Sequence, residues 1–174
     1  MLPLHVTQRL RKQLRMEWDP APPGGPSVLG GWYATFLSAR PVYSAVAVNA
    51  ATLLAVVVPI APIATFLDRL REAAIARIQG IDAPPAAVQR EVRALTGFVV
   101  RPTEDRSVLG SLNNMAQMGR HRLKADPDRT FAVLGDILTD TPMFALRTAW
   151  PRDEAAQLLG GLGERTRGLY LDAT

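Results

Sequence analysis

Trp32-Tyr33-Ala34-Thr35-Phe36-Leu37-Ser38-Ala39-Arg40-Pro41-Val42-Tyr43-Ser44-Ala45-Val46-Ala47-Val48-Asn49 decides the fold. Trp32 to Ser38 alternates large and small residues around aromatics, which suits a pleated strand better than a helix. Ala39-Arg40-Pro41 reads as a turn, Tyr43 to Asn49 as a second strand, and Thr52 to Ile60 as a third after a turn at Asn49-Ala50-Ala51. The joins are too short for parallel crossovers, so the three strands form an antiparallel meander. Leu4 to Thr7 is a further short apolar strand, and Phe98 to Arg101 another.

The rest of the chain has helical periods. Thr7 caps a basic amphipathic helix with Val6, Leu10 and Leu14 on one face and Arg9, Arg11, Lys12 and Arg15 elsewhere. Ile60, Ile63, Leu67, Leu70, Ala74 and Ile78 recur at three and four, and Gly80 stops that helix. Asp82 is expected to cap the next, opened by Pro84-Pro85, with Val88, Val92 and Leu95 inside. A helix from Asp105 or Ser107 carries Asn113-Asn114. Asp128 begins another through Phe131, Leu134 and Leu138, and Pro151 opens a last short one. Strands early and helices late predict an α+β fold: a small antiparallel meander with a C-terminal helical half packed on one face.

The chain has 174 residues, which fits one domain over 1–174. Asp19 to Gly31 is a Pro/Gly-rich internal loop, thirteen residues long, and 160–174 reads as a frayed tail. With 48% apolar and 21% charged residues the composition is globular. There is no cysteine, so disulfides and thiolate metal sites are excluded; a cytoplasmic location is compatible. Two histidines, His5 and His121, argue against a His-rich metal site, and no motif calls for a cofactor. The net charge of +4, with pI ≈ 10.1, attracts phosphates only mildly.

Pro41 to Leu67 carries no charge over 27 residues, long enough to span a bilayer. Asn49, Pro59, Pro62 and the change of rhythm favour buried strands instead. The N-terminus lacks the charged start and apolar core of a signal peptide.

Candidate chemistry gathers in two places. At Arg106-Ser107, free helix N–H groups attract anions, and Gly110-Ser111 one turn on lets a ligand approach the backbone. Arg101 and Arg106 supply guanidinium forks for phosphate or carboxylate. This is not a P-loop, because the glycine–lysine spacing is absent. The plainer reading is a capped helix whose Gly110 permits close packing. Asn113 and Asn114 point about 100° apart on a helix, so one is expected buried in a hydrogen-bond network and the other exposed. The second place is His5 beside Gln8 and Arg9, where His5 is a candidate base or phosphate contact. Asp136 and Asp140, four apart, read as a solvated face rather than a metal pair. No nucleophile–base motif is present.

Several segments together resemble a known family: His5-Val6-Thr7-Gln8-Arg9-Leu10, Leu29-Gly30-Gly31-Trp32-Tyr33-Ala34-Thr35-Phe36-Leu37, Asn49 between two strands, Arg106-Ser107-Val108-Leu109-Gly110-Ser111-Leu112-Asn113-Asn114-Met115-Ala116, and Thr141-Pro142-Met143. The chain is similar, from Leu4 to Pro151, to an uncharacterised bacterial domain family also seen beside plasmid ORF-3-like proteins. That resemblance implies a fold and a mobile-element or phage-defence setting, and no reaction. Where such sequences often have Gly-Asp-Trp, this chain has Gly30-Gly31-Trp32. The leading expectation is a binding or interaction module with a protein partner or a phosphate-bearing ligand. Its surface would be the cleft between His5–Arg9 and Arg106–Asn114. The alternatives are a toxin-like enzyme on a nucleotide or nucleic acid, with His5 as base, and a membrane-associated protein through 41–67.

Overall fold

The computed structural model describes residues 1–161. In chain order the elements are β1 (Leu2–Val6), α1 (Gln8–Leu14), β2 (Trp32–Ala39), β3 (Val42–Asn49), β4 (Ala55–Pro59), a 3-10 turn (Ile63–Thr65), α2 (Phe66–Gln79), α3 (Pro85–Ala94), β5 (Phe98–Pro102), α4 (Arg106–Ala125), α5 (Phe131–Thr139) and α6 (Pro151–Leu158). Residues 162–174, most of the expected frayed tail, lie outside the described residues.

The fold is α+β and contains the meander. Trp32 faces Asn49 across β2–β3, and Ala47 faces Val56 across β3–β4. The sheet order is β4-β3-β2-β1-β5, with β1 parallel to both neighbours: Val6 lies beside Ala34 of β2 and Pro102 of β5. Helices cover both faces of this sheet, a correction to the single covered face expected. On one face Leu10 and Leu14 of α1, Leu70, Ala74 and Ile78 of α2 and Val88 of α3 pack on Leu4, Val6, Trp32, Ala45 and Ala47. On the other, Leu112, Met115 and Ala116 of α4 and Leu134 and Leu138 of α5 pack on Tyr33, Leu37, Val46 and Val48. The physical reason stands in β3 itself. Ala45-Val46-Ala47-Val48 has no polar alternation, as a strand buried on both sides requires. Each fully buried Leu or Val there contributes about 1.5–3 kcal/mol of transfer free energy.

Pro41–Leu67, considered as a membrane span, folds as β3, β4, the 3-10 turn and the first residues of α2. No described helix is long and apolar enough to cross a membrane. The buried stripe of α2 begins at Phe66, while Ile63 is 43% exposed, because the 3-10 turn rotates the pattern before the α-helix starts. Pro84 rather than Asp82 occupies the position before α3. Thr130 rather than Asp128 caps α5, its hydroxyl accepting from Val133 N at 3.3 Å.

The Asp19–Gly31 loop is fastened along its length. Asp19 N donates to Val100 O (3.1 Å), and Gly24 N to Met1 O (3.1 Å). The buried Glu91 carboxylate accepts from Ser27 Oγ, Val28 N and Leu29 N. Asn49, wholly buried, donates Nδ2 to Leu29 O and Gly31 O. Its Oδ1 accepts from Ala51 N, Thr52 N and Thr52 Oγ1, so one amide closes the loop and the β3–β4 turn together.

Candidate functional site

β1 and β5 end side by side, and the chain leaves them in opposite directions. After Val6 it enters α1 on one face of the sheet; after Pro102 it enters α4 on the other. Such divergence opens a crevice beyond the carboxyl ends of parallel strands, the place where open sheets bind ligands. The His5–Arg9 and Arg106–Asn114 segments both start at this divergence.

His5 is held rather than free. Its Nδ1 lies 2.6 Å from Pro102 O, a carbonyl that can only accept, so Nδ1 carries the proton. Its ring stacks on Tyr33 with centroids 4.4 Å apart. The Tyr33 hydroxyl in turn accepts from Asp105 N at 3.1 Å. Asp105 caps α4, its Oδ1 accepting from Ser107 N (2.8 Å) and Val108 N (3.1 Å). The helix start thus already holds a carboxylate of its own where an anion would sit. Arg106 and Ser107 are exposed beside it. Arg101, the register partner of His5 on β5, donates Nη2 to Ala21 O at 2.5 Å and so ties down the loop.

Gly110 is exposed, and a Cβ added there would meet nothing within 4 Å, so close packing is not its purpose. Ser111 is half-buried. Asn113 and Asn114 are both exposed. The expected buried amide is therefore corrected: Val108, Leu112, Met115, Ala116 and Gly119 take the packed face of α4, and both asparagines fall off it.

Two of the sequence candidates, Arg9 and Asn113, meet in a groove of about 380 Å³ between the start of α1, the end of β2 and the middle of α4. Thr7, Thr35 and Phe36 form its floor. Ala116, Gln117 and Arg120 complete the α4 wall. The Thr7 and Thr35 hydroxyls lie 3.1 Å apart. The Arg9 guanidinium sits 4.7 Å above the Phe36 ring, which fixes it over the opening. Neither Arg9 nor Arg120 has an ion-pair partner among the described residues, and no carboxylate lines the groove. His5, Arg101, Arg106, Ser107, Gly110, Ser111 and Asn114 are outside its lining. Thr35, Phe36, Gln117 and Arg120 escaped the sequence reading. Gln117 and Arg120 stand four and seven residues after Asn113, a helical spacing that marks one polar row.

A cavity of about 300 Å³ at the β4 edge differs in charge. There Arg77 pairs with Asp136, and Arg152 with Asp140 at 3.3 Å, so each cation is matched and the two aspartates are engaged. Among the described residues no group of three or more metal-binding side chains gathers.

No curated protein and no solved structure matches the chain. A family model does, over residues 3–154, which takes in every described element except the first residue of β1 and the second half of α6. The chain belongs to the family described as Domain of unknown function (DUF6933).

Proposed function

We propose that the protein is a binding module that recognises an anionic partner in the groove between α1, β2 and α4. The observation that carries this is the unbalanced pair Arg9 and Arg120, set on opposite walls with Asn113, Gln117 and two threonine hydroxyls between them. Guanidinium groups left without counter-charges at a crevice beyond parallel strand ends favour carboxylate or phosphate. The groove has donors on every side and no carboxylate, thiol or histidine to act as nucleophile or base. Recognition therefore fits better than catalysis. His5, bonded through Nδ1 and stacked on Tyr33, serves in this reading to set the start of α4. A bacterial mobile-element or phage-defence setting would suit such a module.

The test is a thermal-shift and titration-calorimetry screen at low salt with nucleotides, short RNA and DNA, and acidic peptides. Binding should weaken with salt, fall strongly in Arg9→Ala and in Arg120→Ala, and persist in Arg106→Ala. Binding indifferent to both groove arginines would overturn the assignment.

A further inference from the structure

The floor of the groove is an unpaired strand edge. In β2 the even-numbered residues turn their backbone groups toward β1, as the bond from Thr7 N to Ala34 O shows. The odd-numbered ones pair with β3, in line with Ala50 N donating to Gly31 O. β1 stops at Val6, opposite Ala34, and the chain then turns away into α1. β2 continues to Ala39. Phe36, which lines the groove, and Ser38, two residues further along the same edge, are thus left with N–H and C=O groups that no hydrogen bond joins to any described residue. An edge of this kind is a template for another strand.

We propose, resting on the anionic-partner reading above, that the groove binds an extended acidic peptide segment of another protein, which adds to the sheet beside β2 in line with β1. Charge selects the occupant. Arg9 lies on the α1 side of the sheet and Asn113, Gln117 and Arg120 on the α4 side. Successive side chains of a seated strand alternate between those two sides, so two consecutive acidic residues meet both arginines. A second copy of β2 is a poor occupant, because it would bring Arg9 and Arg120 against their own duplicates. A nucleic acid satisfies the arginines but has no donors and acceptors at strand spacing for Phe36 and Ser38.

The probe is a capped peptide Thr-Val-Glu-Glu-Val-Thr, titrated at low salt, with two derivatives that are N-methylated on alternate amides in the two possible phases. A strand pairs through one edge, so one derivative should lose affinity by about tenfold or more while the other keeps it. Exchange of the Phe36 and Ser38 amide hydrogens should slow on binding. Ser38→Pro, which removes one edge donor and no charge, should weaken the parent peptide and leave phosphate binding unaltered. Equal affinity of the two methylated derivatives overturns strand addition. Binding of inorganic phosphate or a nucleotide that depends on Arg9, with none of the peptide, also overturns it while the anionic-groove reading stands. Absence of Arg9-dependent binding by every anion overturns both.

Discussion

The carboxylate of Glu91 accepts a 2.6 Å hydrogen bond from the hydroxyl of Ser27, across 64 residues of sequence. The same carboxylate takes Val28 N at 2.9 Å and Leu29 N at 3.3 Å, and Glu91 is only 3% exposed. Three donors replace the water that burial takes from this carboxylate. Glu91→Ala leaves those donors without their acceptor, and hydrogen bonds to a charged group are worth more than neutral ones. The expected loss is about 3 kcal/mol. Urea unfolding should show it as a lower midpoint, and limited proteolysis should cut between residues 19 and 31 sooner than in the parent. A variant as stable and as resistant as the parent would mean the loop is held elsewhere.

Asn49 makes the corresponding prediction for the β3–β4 turn. Its amide spans two carbonyls of the loop and three donors of the turn, with no exposure to water. Asn49→Ala should cost about 3 kcal/mol or more, and Asn49→Asp should not rescue it, because the carboxylate cannot donate to Leu29 O and Gly31 O. Thermal melts of the two variants check this; an Asp variant as stable as the parent would contradict it.

These two polar anchors also show where the sequence was legible. The meander, the Thr7 cap and the Asp105 start of α4 could be read because turn and cap chemistry is local. The partners of Glu91, and the loop carbonyls that Asn49 bonds, could not, because they lie far away in sequence and only the tertiary fold brings them together. The covering of both faces left a trace in the Ala-Val run of β3, but which helix lies on which face depends on the path after β1 and β5. The candidate groove was half visible. Arg9 and Asn113 stood out as polar departures, whereas Phe36 and Thr35 looked like ordinary strand residues. The backbone edge at Phe36 is left unpaired only because β1 ends short of β2.

Thr139 tests how the outer edge of the sheet is closed. Its hydroxyl accepts from Ala55 N at 3.0 Å and donates to Ala55 O at 3.1 Å, doing for β4 what a sixth strand would do. Thr139→Val keeps the shape and removes both bonds. The variant should lose about 1–3 kcal/mol, seen as a lower chemical-unfolding midpoint, with faster amide exchange at Ala55. Unchanged exchange there would show that the edge does not depend on the hydroxyl.

The two glycines of α4 should respond with opposite signs. A Cβ at Gly119 would lie 2.7 Å from Cδ1 of Leu37, a fully buried side chain with little room to move. Gly119→Ala should therefore destabilise by about 1–3 kcal/mol through overpacking against β2. At Gly110 the added methyl meets nothing within 4 Å, so Gly110→Ala should stabilise by about 0.5–1 kcal/mol through the smaller entropy of the unfolded chain. Paired thermal melts decide both, and a Gly110→Ala variant less stable than the parent would mean that something packs on that exposed turn.

Asn113 and Asn114 separate stability from recognition. Both are exposed, so Asn113→Ala and Asn114→Ala should each stay within about 0.5 kcal/mol of the parent. Only Asn113 lines the groove. It stands in one row with Gln117 and Arg120, while Asn114 turns about 100° away from that row. Asn113→Ala should therefore weaken binding of an anionic peptide or phosphate without changing the melting temperature, and Asn114→Ala should change neither. Calorimetric titration of the two variants beside Arg120→Ala gives the comparison. Equal binding losses in both asparagine variants would place the anionic partner across the exposed face of α4 rather than in the groove against β2.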